Sequence, residues 1–465
     1  MTLSQKQIQH LYLRTGFGES PKAVQLRSSL SKRQLVEKLF EDSQSIEAIT
    51  HVPYPIKNAR EVKDVKMLRK ILSSKKMVEE TNVVWLNRMA CTEAQFREKM
   101  TFFWHGHFAT KIPMAYLMQE QNNTIRTHAL GSFRQMLHAV SKDPAMLLFL
   151  NNQQNRKQRP NENFAREVME LFTLGEGNGY TENDIKEAGR AFTGWRVNRL
   201  GKFEMDHETH DGGLKTIFGR TGNFDGSDVI DMLLEKRQTA NYISRKLYRF
   251  LISHKENAQF IEQMTDVFYE SDYSIEELLR YMLMSDEFFA ERNIGVRIAS
   301  PTELLVRYLR LFKLKFKRDR IIIGAQKALG QVLLLPPNVA GWSEQNDWID
   351  SSSLLYRMRL PLVLFGNFEM ILEGKQDPEE PELSKAERAL LQWRKPEADW
   401  SELFKVDMPN EESALIDQLL GMLIQSRTDS IDRSSLMRSI DGSSRENRIM
   451  SLATHIMALP EFQLI

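Results

Sequence analysis

Apolar residues return at the helical period along almost the whole chain. Leu35 and Leu39, then Val65, Leu68 and Leu72, then Phe96, Met100, Phe103 and His107, then Leu130, Phe133 and Leu137 fall three or four positions apart. Such stripes mark amphipathic helices that each bury one face. Ile243, Leu247 and Leu251, and later Leu278, Leu279 and Met282, repeat the pattern, and these positions read as packing rather than as a cofactor box. A chain written this way is restricted to an all-α fold, a multi-helix globular array. The period fails in one place, from Trp195 to Gly226, where glycines, isolated aromatics and short alternating pieces predict a small irregular or β-hairpin excursion near 196–224. Elements of that kind often form the wall or lid of a site.

Two helices are predicted to be long. One begins at about Lys76 and carries the stripe that ends at His107, and another spans about 123–140. Asp143 followed by Pro144 is a helix start, and Thr181 with Asp184 is a capping box for the next helix. The polar stretch GKQDPEEPELSKAERA at 374–389 divides the chain. A main helical body is expected over 1–370, a polar linker or insertion over 371–409, and C-terminal helices over 410–465 that pack back on the body.

The charge balance excludes some functions. Lys+Arg number 63 and Asp+Glu 62, a net charge of +1, so no global field recruits nucleic acid. The run KLKFKRDR at 313–320 is a candidate patch for an acidic partner, but a solvated helix end is the preferred reading. A single cysteine, Cys91, rules out a disulfide framework or a multi-cysteine metal site, and its apolar helical context predicts a buried, inert thiol. No stretch of about 18 apolar residues is present, so no membrane span is expected. The first twenty residues lack the pattern of a secretory signal, and a cytoplasmic location is the expectation that follows. No phosphate-binding loop, Rossmann glycine motif or nucleophile elbow is present.

Chemistry concentrates in TFFWHGHFAT at 101–110. His105 and His107, flanked by Trp104 and Phe108, are two apart, so on a regular helix they point about 200° from one another. Both can face one ligand only if the helix ends or distorts near Gly106, and Pro113 soon forbids its continuation. The pair is therefore expected at a helix C-terminus, with His107 on the buried face and His105 dependent on the bend. A second stretch, PNENFAREVMELFTLG at 160–175, places Asn163, Glu167 and Glu170 along one helix edge beside an apolar stripe of Phe164, Val168, Leu171 and Phe172. In the 196–224 excursion, His207-x-x-His210 could chelate, Asp211 adjoins it, and Lys215 could balance an anion.

These residues admit two functional classes. In one, His105, His107 and Glu167 bind a divalent metal such as zinc, iron or manganese, and Glu167, Glu170 or His210 serves catalysis as a base in a hydrolase or oxidoreductase. Asn163, Trp104, Asp211 and Lys215 then support the site or the substrate. In the other, the same polar residues form a buried structural network in a non-catalytic binding or assembly module.

The motifs HLYLRTGFGES, FWHGHFAT, PNENFAREVMELFTLGEGNGYTENDIKEAGRAFTGW, HETHDGGLKTIFG, NFDGSDVIDMLL, PPNVAGW and the terminal LPEFQ occur in that order. They closely resemble the bacterial family named domain of unknown function 1800, over nearly the whole chain. The resemblance implies no settled activity. It implies as a partner a protein of a second family, domain of unknown function 1501, beside which members often occur, and many members carry export signals. Members commonly have Asn where this chain has Gly106. That departure keeps both histidines and removes one hydrogen-bonding side chain.

Overall fold

The computed structural model describes residues 2–56, 67, 73–316, 320–366 and 396–465. It is mainly helical, with two small antiparallel hairpins, as the periodicity predicts. Val65, Leu68, Leu72, residues 317–319 of the basic run and 374–389 of the polar stretch lie outside the described residues.

Side-chain caps fix many of the helix starts. Ser4, Ser31, Thr181, Asp225, Ser300 and Asp350 each close a capping box, satisfying backbone donors that the first turn leaves free. Asp143 accepts the N–H groups of Ala145 and Met146 at 2.9 and 3.2 Å, ahead of Pro144, as expected.

Both long helices predicted from the stripes are divided. Lys75–Cys91 and Gln95–His107 are separate helices because Thr92 turns extended and its hydroxyl accepts the Ala94 N–H at 3.0 Å. That side chain competes with the helix for a backbone donor. Ala115–His128 and Phe133–Ser141 replace the single span over 123–140. Ser132 caps the second of them, and the backbone of Gly131 and Phe133 bonds instead to Ile275 and Tyr273. Leu130, Phe133 and Leu137 stay buried, so the stripe was correct while the continuity was not. Cys91 ends its helix exposed to solvent, contrary to the expected buried thiol.

The hairpins pair Trp195–Val197 with Phe203–Met205, and Lys215–Ile217 with Arg220–Gly222. Phe218 and Gly219 form the second turn with φ of 50° and 77°, the left-handed pair that tight hairpins require. Phe218 tolerates it because its N–H donates to Asp184 at 2.6 Å and Lys236 covers its ring at 4.0 Å.

One continuous hydrophobic cluster runs from Leu3 to Ile465. Trp104 is wholly buried in it, against Phe103, Phe108 and Phe133, and donates its indole N–H to the Ala129 carbonyl at 3.1 Å. Burial of each such side chain contributes roughly 1.5–3 kcal/mol. Glu98 ties three helices together by accepting from Arg126 at 2.6 Å and from Trp85 at 2.8 Å. The last residues return to the first helix and the middle of the chain. Gln425 bonds Gln9 at 2.6 Å, Arg307 bonds the carbonyls of Leu423 and Phe462, and Arg297 and Ile465 exchange backbone bonds.

Candidate functional site

The helix Gln95–His107 stops at the second histidine, with Phe108 in a non-helical conformation. The histidine pair therefore lies in a last turn, as predicted, while Gly106 itself remains helical. His105 and His107 are both buried but face different surroundings. The His105 Nε2 accepts the N–H of Leu334 at 3.2 Å, so its proton sits on Nδ1, and its ring lies between Trp85 and Trp342. Burial lowers its pKa to about 3. Leu334 holds a left-handed φ of 65° in the LLLPPNVAGW loop, which thus caps the imidazole.

His107 turns toward the acidic helix and the helix Arg237–Leu251. Its Nε2–H donates to the Phe172 carbonyl at 3.2 Å, which leaves Nδ1 as the bare nitrogen that the Lys246 amine approaches at 3.1 Å. Burial first, and then the Lys246 charge, hold it neutral by pushing its pKa well below the ordinary value.

The Phe172 carbonyl is free because the acidic helix changes pitch. Asn163–Glu167 is α-helical, but Val168–Thr173 is a π-turn, in which the wider spacing releases carbonyls from the regular ladder. Neighbouring side chains take them: Tyr242 donates to Leu171 at 3.2 Å, His107 to Phe172, and Gln238 to Leu174 at 3.0 Å.

The other predicted site residues are placed as follows. Glu170 accepts from Arg166, which also binds Glu162 and Glu182. Glu167 is half-buried, and burial followed by the neighbouring Glu170 raises its pKa. Asn163 donates to the Leu150 carbonyl at 3.1 Å. His210 donates from Nδ1 to the Thr193 carbonyl at 2.8 Å, and His207 is exposed. Asp211 pairs with Arg190 at 2.7 Å, which holds its carboxyl below the usual range, and Lys215 donates to the carbonyls of Asp211 and Gly213. These last contacts fasten the hairpins to the helix Glu182–Ala191. The structure thus brings His107 to the end of the acidic helix and leaves His105, His210 and Asp211 elsewhere. Among the described residues no three His, Cys, Asp or Glu side chains converge as a metal cluster.

What His107 does border is a cleft, open to solvent on one side, with a cavity volume of about 110 Å³. Phe102, Phe103 and Gly106 form one wall, Lys246 and Phe250 a second, and Arg297, Glu303 and the loop carrying Trp342 the remainder. Gly341, with φ of 88°, lets that loop approach, since a Cβ there would lie 2.6 Å from the Gly106 carbonyl oxygen. Burial brings the pKa of Lys246 down to about 8. Among the described residues no carboxylate lies within ion-pair distance of this amine, and its bond is to His107.

A charged layer lines the far side of the cleft. Glu303 receives Lys99 and Arg297 on one oxygen and the Ser300 N–H at 2.8 Å on the other. Its burial would raise its pKa, but the two cations override this and hold it far below the carboxylate range. Lys99 is fully buried, and burial brings its pKa to about 8.

A family model described as a protein of unknown function, DUF1800, matches residues 10–464. The chain belongs to the DUF1800 family. No curated protein and no solved structure matches it. Within this DUF1800 chain, the sequence pointed to His107 but not to Lys246, Arg297 or Glu303. Lys246 stands in the run SRKLYRF beside Arg245 and Arg249, and nothing in that run marks which of three cations turns inward. Glu303 was hidden as the third residue of a capping box, a position acidic residues occupy for local reasons alone.

Proposed function

We propose that this DUF1800 protein acts on a small molecule held in the cleft beside His107, with Lys246 as the proton-transfer group and His107 as the residue that positions it. The pairing of Lys246 with a neutral imidazole carries this reading. An amine set into a protein wall without a carboxylate partner is costly to retain, and such groups gather where chemistry uses them. With a pKa of about 8 the amine can exchange a proton with a bound ligand near neutral pH. Accepting one ammonium proton at Nδ1, His107 fixes the direction of the others.

A zinc, iron or manganese centre on His105, His107 and Glu167 has less support. To converge, the His107 nitrogens would have to leave Phe172 and Lys246, and the His105 Nε2 would have to release Leu334. The second reading, a structural network, is favoured for His105, whose ring is held by the Leu334 N–H and two tryptophans. We therefore assign His105 to structure and keep function on the His107 side.

Reductive methylation of the native chain from pH 6 to 10, mapped by mass spectrometry, tests the reading. Lys246 should react with a midpoint near 8, whereas exposed lysines follow ordinary values of about 10.4, and fully buried Lys99 should stay unmodified. A Lys246 that never reacts, or reacts only with the surface lysines, would refute a reactive amine open to small molecules.

A further inference from the structure

The charges that line the cleft balance, Lys246 and Arg297 against Glu303 and Glu344, but Lys99 and Arg14 add two cations to the layer behind it. Lys99, Arg297 and Arg14 are buried, and Lys246 stands part-buried in the wall. Against these, among the described residues, there is one buried carboxylate at the cleft, Glu303, already shared by Lys99 and Arg297. Glu344 stands at the rim with its side chain 62% exposed. Arg14 donates only to the Asn293 carbonyl, at 3.0 Å, and has no carboxylate partner among the described residues. It lies close enough to Arg297 for the two like charges to act on one another.

Donors are also left over. The Nε and Nη1 of Arg14 and the Nε of Arg297 are buried without a hydrogen-bond partner, whereas buried guanidinium donors are ordinarily satisfied. The orphaned atoms themselves have no open surface, so it is the uncompensated charge behind the wall that a bound anion relieves. Arg297 itself lines the cleft.

The rest of the wall restricts the anion. Phe102, Phe103, Phe250 and Trp342 offer aromatic surface in the same cleft as Lys246 and Arg297, and the Arg297 guanidinium already lies 5.2 Å from the Phe250 ring. Glu303 and Glu344 on the same wall would repel a dianion more than a monoanion. We propose that the cleft takes a small organic monocarboxylate, its charge at Lys246 in a cleft that Arg297 also lines, and its apolar body against Phe103, Phe250 and Trp342. This deepens the reading of the cleft as the functional site by naming its ligand class.

The test is calorimetry and thermal melting of the whole chain at pH 7 and matched ionic strength. The probes are benzoate, hexanoate, the uncharged analogue benzamide, inorganic phosphate and sodium chloride. Benzoate or hexanoate should raise the melting temperature and bind at least tenfold more tightly than benzamide and phosphate. Because Arg297→Met strips Glu303 of a partner and can fail to fold, Lys246→Met is the variant of choice. It should weaken carboxylate binding at least tenfold and leave benzamide unchanged. Carboxylates no better than chloride, benzamide as tight as benzoate, phosphate tighter than either carboxylate, or undiminished carboxylate binding by Lys246→Met would each overturn the proposal. Selective methylation of Lys246 alongside any of those results would leave the reactive-amine reading standing and remove only the ligand class.

Discussion

Replacing Lys246 by Met should stabilise the protein at neutral pH. The fall of the Lys246 pKa from 10.5 to about 8 means that the unfolded chain binds this proton more tightly than the folded one. Between those two values the unfolded state holds more protons, so wild-type stability rises with pH from about 8 to 10.5. Below pH 8 both states are protonated and the full cost is present. Above 10.5 it is gone. At ~1.36 kcal/mol per pK unit the cost is at most about 3 kcal/mol, reduced because the side chain is partly exposed to the cleft. Loss of the bond to His107 offsets about 1 kcal/mol of the relief. Met keeps the aliphatic stem, so packing against Tyr242, whose ring lies 5.1 Å from the amine, is largely retained. Parallel urea melts of wild type and Lys246→Met at pH 7, 8, 9 and 10 give the difference directly, and the titration of Lys99 cancels in it. The variant should lead by about 1–2 kcal/mol at pH 7 and lose that lead by pH 10. A variant less stable than wild type by a constant margin at every pH would refute the argument, because Lys246 would then be a packing residue.

Glu303→Gln leaves Lys99 and Arg297 buried beside a neutral amide and should cost about 3–5 kcal/mol; calorimetry should find a lower melting temperature, partly restored by adding Lys99→Met. Asp143 accepts two backbone N–H groups at a helix start, yet burial pushes its pKa up to about 7. Its folded state binds the proton more tightly than the unfolded chain, so stability is present at low pH and is lost as pH rises through 7. Melts at pH 8 should therefore find Asp143→Asn more stable than wild type, with the gap closing toward pH 4, while Asp143→Ala loses about 1 kcal/mol of capping.

The fold class was readable because apolar period survives local error. Leu130, Phe133 and Leu137 are buried whether one helix or two carries them. The helix breaks at Thr92 and Ser132 were not readable, since each depends on a hydroxyl choosing a local backbone donor over the helix. Within the site, His107 was legible because its phase on the Phe96, Met100 and Phe103 stripe turns it inward. The expected Glu167 and Glu170 edge rested on a regular helix, and Val168–Thr173 is not one. A π-turn has no sequence signature comparable to a cap, so the carbonyls it frees for His107, Gln238 and Tyr242 could not be foreseen. Lys246, Arg297 and Glu303 come from separate parts of the chain, and only tertiary packing makes them neighbours.

Three departures from regular structure surround the histidine turn beside the cleft. The helix stops at His107, the acidic helix widens at Val168–Thr173, and the LLLPPNVAGW loop passes through a left-handed Leu334 before Gly341 closes on the Gly106 carbonyl. Each breaks a local rule, and together they hold a neutral imidazole against an amine at a solvent-reaching wall. A chain selected only for stability has no reason to keep that arrangement, because a hydrophobic residue at 246 would pack the same space without a charge. Gly106 supports the same conclusion from the opposite wall: it lines the cleft, and a Cβ there would meet nothing within 4 Å. A side chain at this position would therefore extend into the cleft itself. The open volume beside His107 is thus set in part by the missing side chain of Gly106.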